Sequence, residues 1–225
     1  MKLTIFAATG GIGRHMLDQA LAAGHDVTAV VRNPSSLAAQ AGRARLVTAD
    51  LTAADPAVLA SAVEGADAVL SGLGPRNPRS DVGITSRGTR AIVAAMGATG
   101  VRRVVVVSAA PVGTVASPGR PNPPKHDPGD GFFMRHLGAP LAGAMFRAHY
   151  VDLALTEDIL RDSGLDWTVS RPPKLTNKPL TGIYRTANGR NIRGGFSVSR
   201  ADVAQHMLRV LDEPDTIHQV IGIAY

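Results

Sequence analysis

The chain has no cysteine, few aromatic residues and no long apolar run, and each absence removes a class of function. Without cysteine there is no disulfide, no thiolate metal site and no thiol nucleophile, a pattern that fits a reducing compartment. No segment approaches the roughly 18 uninterrupted apolar residues of a membrane span. Met1-Lys2 leads straight into an apolar run with no signal-peptide pattern, so a cytoplasmic protein with no membrane partner is expected. Aromatics make up 4% of the 225 residues, and the arginines are scattered, with neither a lysine-rich tract nor a basic stripe interleaved with aromatics. No nucleic-acid partner is expected on that basis. The net charge is nevertheless +6, which a small ligand bearing several phosphates explains economically.

What is present is an ordinary globular balance, 44% hydrophobic and 19% charged. No polar linker separates two self-contained patterns, so residues 1–225 are read as one domain. Short apolar runs alternate with segments of helical periodicity, the β-α-β-α rhythm of a parallel sheet. Strands are expected at residues 2–8, 27–32, 45–49, 66–71, 101–108, 165–170 and 217–224. Helices fall between them, one with Asp55 as cap and Pro56 in its first turn. Val104 to Val107 form a β-branched run suited to a strand buried on both faces. The fold class is therefore α/β, a Rossmann-type doubly wound parallel sheet of about seven strands. The Pro- and Gly-rich stretch 111–130 is expected as surface loop, and the apolar positions from Phe132 to Phe146 open a helix running on to Ser163. A small hairpin turning at Asn188-Gly189 is expected over residues 182–192.

Thr9, Gly10, Gly11, Ile12 and Gly13 fall where the first strand meets the first helix, the place where free N–H groups and the helix dipole favour a pyrophosphate. Arg32 ends the second strand, where an acidic residue would bind the 2′-hydroxyl of NAD. A guanidinium suits a 2′-phosphate instead, so NADP(H) is the expected cofactor. Ser35 and Ser36 are candidate hydroxyl donors beside it. Asp50, with Leu51 next to it, ends the third strand and is placed to accept from the adenine amino group or to cap a turn. Gly72, Leu73, Gly74 and Arg76 follow the fourth strand on the nucleotide side. Ser108 and Ala109 end the fifth, with Ser108 the polar group nearest the expected nicotinamide, serving either as a catalytic residue or as a hydroxyl satisfied by neighbouring backbone.

The segments Phe6-Ala7-Ala8-Thr9-Gly10-Gly11-Ile12-Gly13, Val31-Arg32, Leu73-Gly74-Pro75-Arg76-Asn77, Ser108-Ala109 and Pro179-Leu180-Thr181-Gly182 resemble the atypical short-chain dehydrogenase/reductases around biliverdin reductase B, also called NADPH-dependent flavin reductase. That resemblance implies hydride transfer from NADPH to a planar acceptor, a flavin, quinone or tetrapyrrole, in an open cleft beside Ser108. It implies no bound metal, Pro172 beside the cofactor, and a monomer or weak dimer, while Lys174 is placed to bind an anionic substrate or the nicotinamide side of the cofactor, or stands as a solvated loop lysine. NmrA-like relatives bind the same nucleotide as redox sensors, so a regulator without turnover is the rival reading, and an isomerase with tightly held cofactor a third.

The departures concern Ala7, where the family's turn has glycine and alanine fits only with a negative φ, and Leu153 and Lys174, which stand where the family has histidines. The superfamily's Tyr-x-x-x-Lys pair is missing, since Tyr150 is followed four residues later by Ala154. The spacings of His126, His136 and His149 fit no metal motif. The insertion at about 111–150 is read as a substrate lid.

Overall fold

The computed structural model describes residues 1–75, 81–130 and 139–225. In chain order its elements are β1 (Lys2–Phe6), α1 (Gly11–Ala22), β2 (Asp26–Val31), β3 (Arg45–Thr48), α2 (Pro56–Val63), β4 (Ala68–Ser71), α3 (Ile84–Thr99), β5 (Arg103–Val107), α4 (Ala139–Asp162), β6 (Asp166–Arg171), β7 (Lys174–Thr176), β8 (Arg185–Asn188), β9 (Ser197–Ser199), α5 (Arg200–Arg209) and β10 (Gln219–Ala224). Eight strands make one sheet in the order β3-β2-β1-β4-β5-β6-β10-β8, while β7 and β9 pair separately. The order reverses between β1 and β4, the point at which an open α/β sheet leaves a crevice beyond its carboxyl ends.

The valine run of β5 shows why the sheet sits at the centre. Val104 to Val107 are all buried, with Val105 and Val107 in one core cluster and Val104 and Val106 in the other. Removing each from water contributes about 1.5–3 kcal/mol. One core packs α1 and α5 on the sheet through Met16, Leu17, Val203 and Met207. The opposite core holds Leu59 of α2, Ile92 and Met96 of α3, and Leu160 of α4.

Helix starts are satisfied in three ways. Asp55 accepts from Ala57 N at 2.9 Å, with Pro56 in the first turn of α2. Ser199 accepts from Asp202 N at 2.9 Å to open α5. Helix α3 has only Gly83 before it, at φ 77°, and is capped from another element: Asp152 of α4 accepts from Thr85 N at 2.9 Å and Ser86 N at 3.1 Å, and from the Thr85 hydroxyl.

All seven expected strands are present, and the eighth corrects the expected hairpin. The chain does turn at Gly189, with φ 69°, but β8 pairs antiparallel with β10 rather than with the residues that follow it. Gly189 N donates to Val220 O at 2.7 Å. The reason is that Ile221 and Ile223 bring an apolar strand to the sheet edge, whereas Arg190 to Gly195 offer no strand pattern. Helix α4 bends at Phe146, whose φ of −120° and ψ of 21° leave the helical region. Phe132, Phe133, Met134 and Leu137 lie outside the described residues, as does His136. Among the described residues no helix is long and apolar enough to cross a membrane.

Candidate functional site

The turn after β1 is closed by backbone alone. Gly10 N donates to Ala7 O at 2.8 Å, and a Cβ added at Gly13 would stand 2.1 Å from that same carbonyl oxygen. Only glycine allows this approach of helix to strand. Ala7 adopts φ 56°, against the expectation that alanine there requires a negative φ. The Gly10 hydrogen bond and the Gly13 contact over-determine the turn, so alanine is held in the left-handed region at a cost of about 1–2 kcal/mol. Helix α1 has no side-chain cap and no acidic residue in its first turn. Its leading N–H groups and positive end are thus left without an acidic partner, a terminus that favours an anion.

Beside that terminus, Ala7, Thr9, Gly10, Val30, Val31, Arg32, Asp50, Leu51, Gly72, Leu73 and Gly74 line one cavity at the carboxyl ends of β1, β2, β3 and β4. It has a mostly apolar wall with a cation at one edge, as a nucleoside with a phosphate requires. Arg32 is exposed and, among the described residues, makes no hydrogen bond or ion pair. Asp50 accepts from Thr52 N at 3.0 Å and from its hydroxyl at 2.8 Å. These two bonds hold its carboxyl below the usual carboxylate range, with Arg32 adding a smaller pull. The hydroxyl protons of Ser35 and Ser36 are taken by Asn33, at 2.7 Å and 2.6 Å. Ile12 and Gly13 are buried beneath the turn, whereas Gly11 is exposed. Arg76 lies outside the described residues.

Beyond β4 the carboxyl ends of β5 and β6 bring Ser108 and Arg171 together. Ser108 donates its hydroxyl to Glu157 Oε1 at 2.8 Å. Arg171 closes a fork on the same carboxylate, at 2.8 Å from Nε and 2.5 Å from a terminal nitrogen. Arg161 adds a bond of 2.9 Å to Glu157 Oε2 and another of 2.9 Å to Asp158. Asp158 in turn accepts from Gly119 N at 2.9 Å. Ser108, Glu157 and Arg171 are 7%, 1% and 5% exposed, so this is a buried, charge-balanced network. Sequence reading found Ser108 but missed Glu157, Asp158 and Arg171. The only available signal was the i, i+4 pair Glu157 and Arg161, which reads as surface pairing.

Ala110 N donates to Pro172 O at 2.9 Å, joining the two strand ends, and Lys174 is exposed at the start of β7. Ala109 is half-buried. Asp202 holds the following loop by accepting from Thr181 N at 2.9 Å, Gly182 N at 2.8 Å and Tyr225 hydroxyl at 2.5 Å. The Pro179-Leu180-Thr181-Gly182 segment is thus a tethered loop with Leu180 and Ile183 exposed. Tyr150 is half-buried, and burial pushes its phenol up rather than towards neutral pH. Among the described residues no group of His, Cys, Asp and Glu is arranged to hold a metal.

A doubly wound, mostly parallel sheet with a glycine turn at a helix N-terminus and a cavity at its switch point defines the Rossmann-type fold of dinucleotide-binding proteins. The chain belongs to the NAD(P)H-binding family, whose model matches residues 7–214. It is 27% identical over 228 residues to the uncharacterized sugar epimerase YhfK of Bacillus subtilis (strain 168), covering 99% of this chain and 94% of the relative. Among solved structures it is similar to ChuY, an anaerobilin reductase from Escherichia coli O157:H7, at 24% identity and a TM-score of 0.75, over 100% of this chain and 97% of that one. A short-chain dehydrogenase/reductase from Veillonella parvula DSM 2008 in complex with NADP matches at 20% identity and a TM-score of 0.73, over 100% and 94% of the two chains. The likeness to these solved structures shows a Rossmann-type fold. The turn fits the family's cofactor in its backbone, since Gly13 packs directly on the Ala7 carbonyl and no side chain of the turn itself intervenes, while the cationic Arg200 side chain lies over Gly11.

Proposed function

We propose that the chain is an NADPH-dependent reductase of a planar acceptor of the flavin, quinone or tetrapyrrole class. The observation that carries the cofactor choice is Arg32, an exposed cation at the edge of the cavity with no hydrogen bond or ion pair among the described residues, where a 2′-phosphate would take paired hydrogen bonds. The N–H groups at the start of α1 hold the diphosphate. Ser108, Pro172 and Lys174 border the nicotinamide half across β4, and bound NADPH supplies the hydride for reduction of the acceptor.

The acceptor class is supported by what the site's own residues can do with a proton. Tyr150 has Ala154 where a lysine would lower its pKa, and burial moves the phenol the other way. Ser108 has its proton committed to Glu157. A simple ketone needs an enzymatic acid at its oxygen, whereas flavins, quinones and bilins accept a proton from solvent. The protein's part is orientation. ChuY's description as an anaerobilin reductase favours the tetrapyrrole among these. The epimerase description of the Bacillus relative finds less support, since the same lack of a proton-transferring pair weighs against it.

Following NADPH absorbance with FMN, riboflavin, biliverdin and a small quinone tests the reading, with calorimetry of NADPH binding alongside. Oxidation with at least one acceptor is expected. Tight binding without oxidation of any would replace the reductase with a nucleotide sensor.

A further inference from the structure

We infer that Glu157 is a positioning residue that turns Ser108 into a hydrogen-bond acceptor, so that the serine receives an N–H group from the ligand rather than giving a proton to it. The inference rests on the proposed reading for the location of the nicotinamide half. Its logic is hydrogen-bond bookkeeping at one oxygen. A serine hydroxyl has one proton and two lone pairs. A carboxylate gripped by two guanidinium groups can only accept, so in the 2.8 Å contact between Ser108 Oγ and Glu157 Oε1 the serine must be the donor. Nothing local can reverse that direction. Burial keeps water from competing, and Ser108 N is pinned to Ser170 O at 2.8 Å, which fixes the backbone from which the side chain departs. What remains on Ser108 towards a ligand is lone pair only.

Two ligand groups offer the matching N–H: the carboxamide of the nicotinamide, or a ring N–H of the acceptor. They are separated by calorimetry of NADPH against its reduced 3-acetylpyridine analogue, in which a methyl group replaces the carboxamide NH₂, and by comparing KM for FMN with KM for a quinone lacking N–H. For one hydrogen bond the expected effect is about three- to tenfold. If the carboxamide is the partner, the wild type prefers NADPH over the analogue by that factor, Ser108→Ala abolishes the preference and Ser108→Thr restores it. If the acceptor is the partner, Ser108→Ala raises KM for FMN by that factor and leaves the quinone's KM in place. Either result supports the inference.

Ser108→Ala changing neither preference overturns it, and so does loss of an acid limb from the kcat pH profile of that variant, which would make Ser108 a proton donor. Glu157→Gln should lose the same preference as Ser108→Ala, with the double variant no worse, and additive losses would break the link between the two residues. Should Glu157→Gln not fold, the serine variants decide alone. The binding arm needs no turnover, so an inactive protein that binds NADPH ends the reductase reading without touching this one. Failure to bind NADPH removes the site from both.

Discussion

At the scale of single residues, Arg32 and Ala7 make opposite kinds of statement. Arg32 is held in readiness, exposed at the end of β2 beside a cavity. Arg32→Asp should weaken NADPH binding about ten- to a hundredfold, the worth of charge-assisted hydrogen bonds, while NADH stays within about threefold, as calorimetry with both nucleotides would show. Equal loss for the two would remove Arg32 from the 2′-phosphate. Ala7 sits at φ 56° in a turn whose shape others dictate. Replacing it with glycine relieves about 1–2 kcal/mol of backbone strain and forfeits about 0.5–1 kcal/mol in chain entropy. Ala7→Gly should therefore raise stability by about 1 kcal/mol and Tm by about 2–4 °C in a thermal melt. The residue type was plain in the sequence, but its φ was not, because the carbonyl that forces it is positioned by Gly10 and Gly13 together.

Among the elements, α5 carries a buried titratable group. His206 is 1% exposed, with both ring nitrogens lacking a hydrogen-bond partner among the described residues and its ring 6.0 Å from that of Tyr184. Burial, helped by the nearby Arg209 charge, lowers its pKa from 6.5 to about 4. The unfolded chain takes up a proton near pH 6.5 that the folded one refuses until about pH 4, so stability is lost as pH falls through that window. The slope is about 1.4 kcal/mol per pH unit, giving about 2 kcal/mol between pH 6.5 and 5. Urea denaturation at the two pH values should show this difference, and His206→Leu should lack it. The seven parallel strands were legible because each is a compact apolar run. Strand β8 was read as one arm of a local hairpin, because its true partner β10 lies beyond α5 in the sequence. The same holds for the cap that Asp152 gives α3 and the bond Glu157 takes from Ser108, across 67 and 49 residues of sequence. Local pattern carries the strands and the glycine turn, while the polar network behind Ser108 exists only in three dimensions.

For the whole molecule, the net charge of +6 acts on a cofactor with several phosphates. Screening shortens from about 10 Å at 0.1 M salt to about 3 Å at 1 M, so the Kd for NADPH should rise several-fold across that range, and less steeply for Arg32→Asp. A flat response would confine the attraction to direct contacts.

The end of the chain also reaches back to its beginning. Gln19 of α1 donates to Ala201 O at 2.9 Å across 182 residues, and the Arg200 side chain lies so close over the phosphate turn that a methyl at Gly11 would come within 2.7 Å of it. Whatever loosens α5 therefore also loosens the glycine turn that its first residue covers.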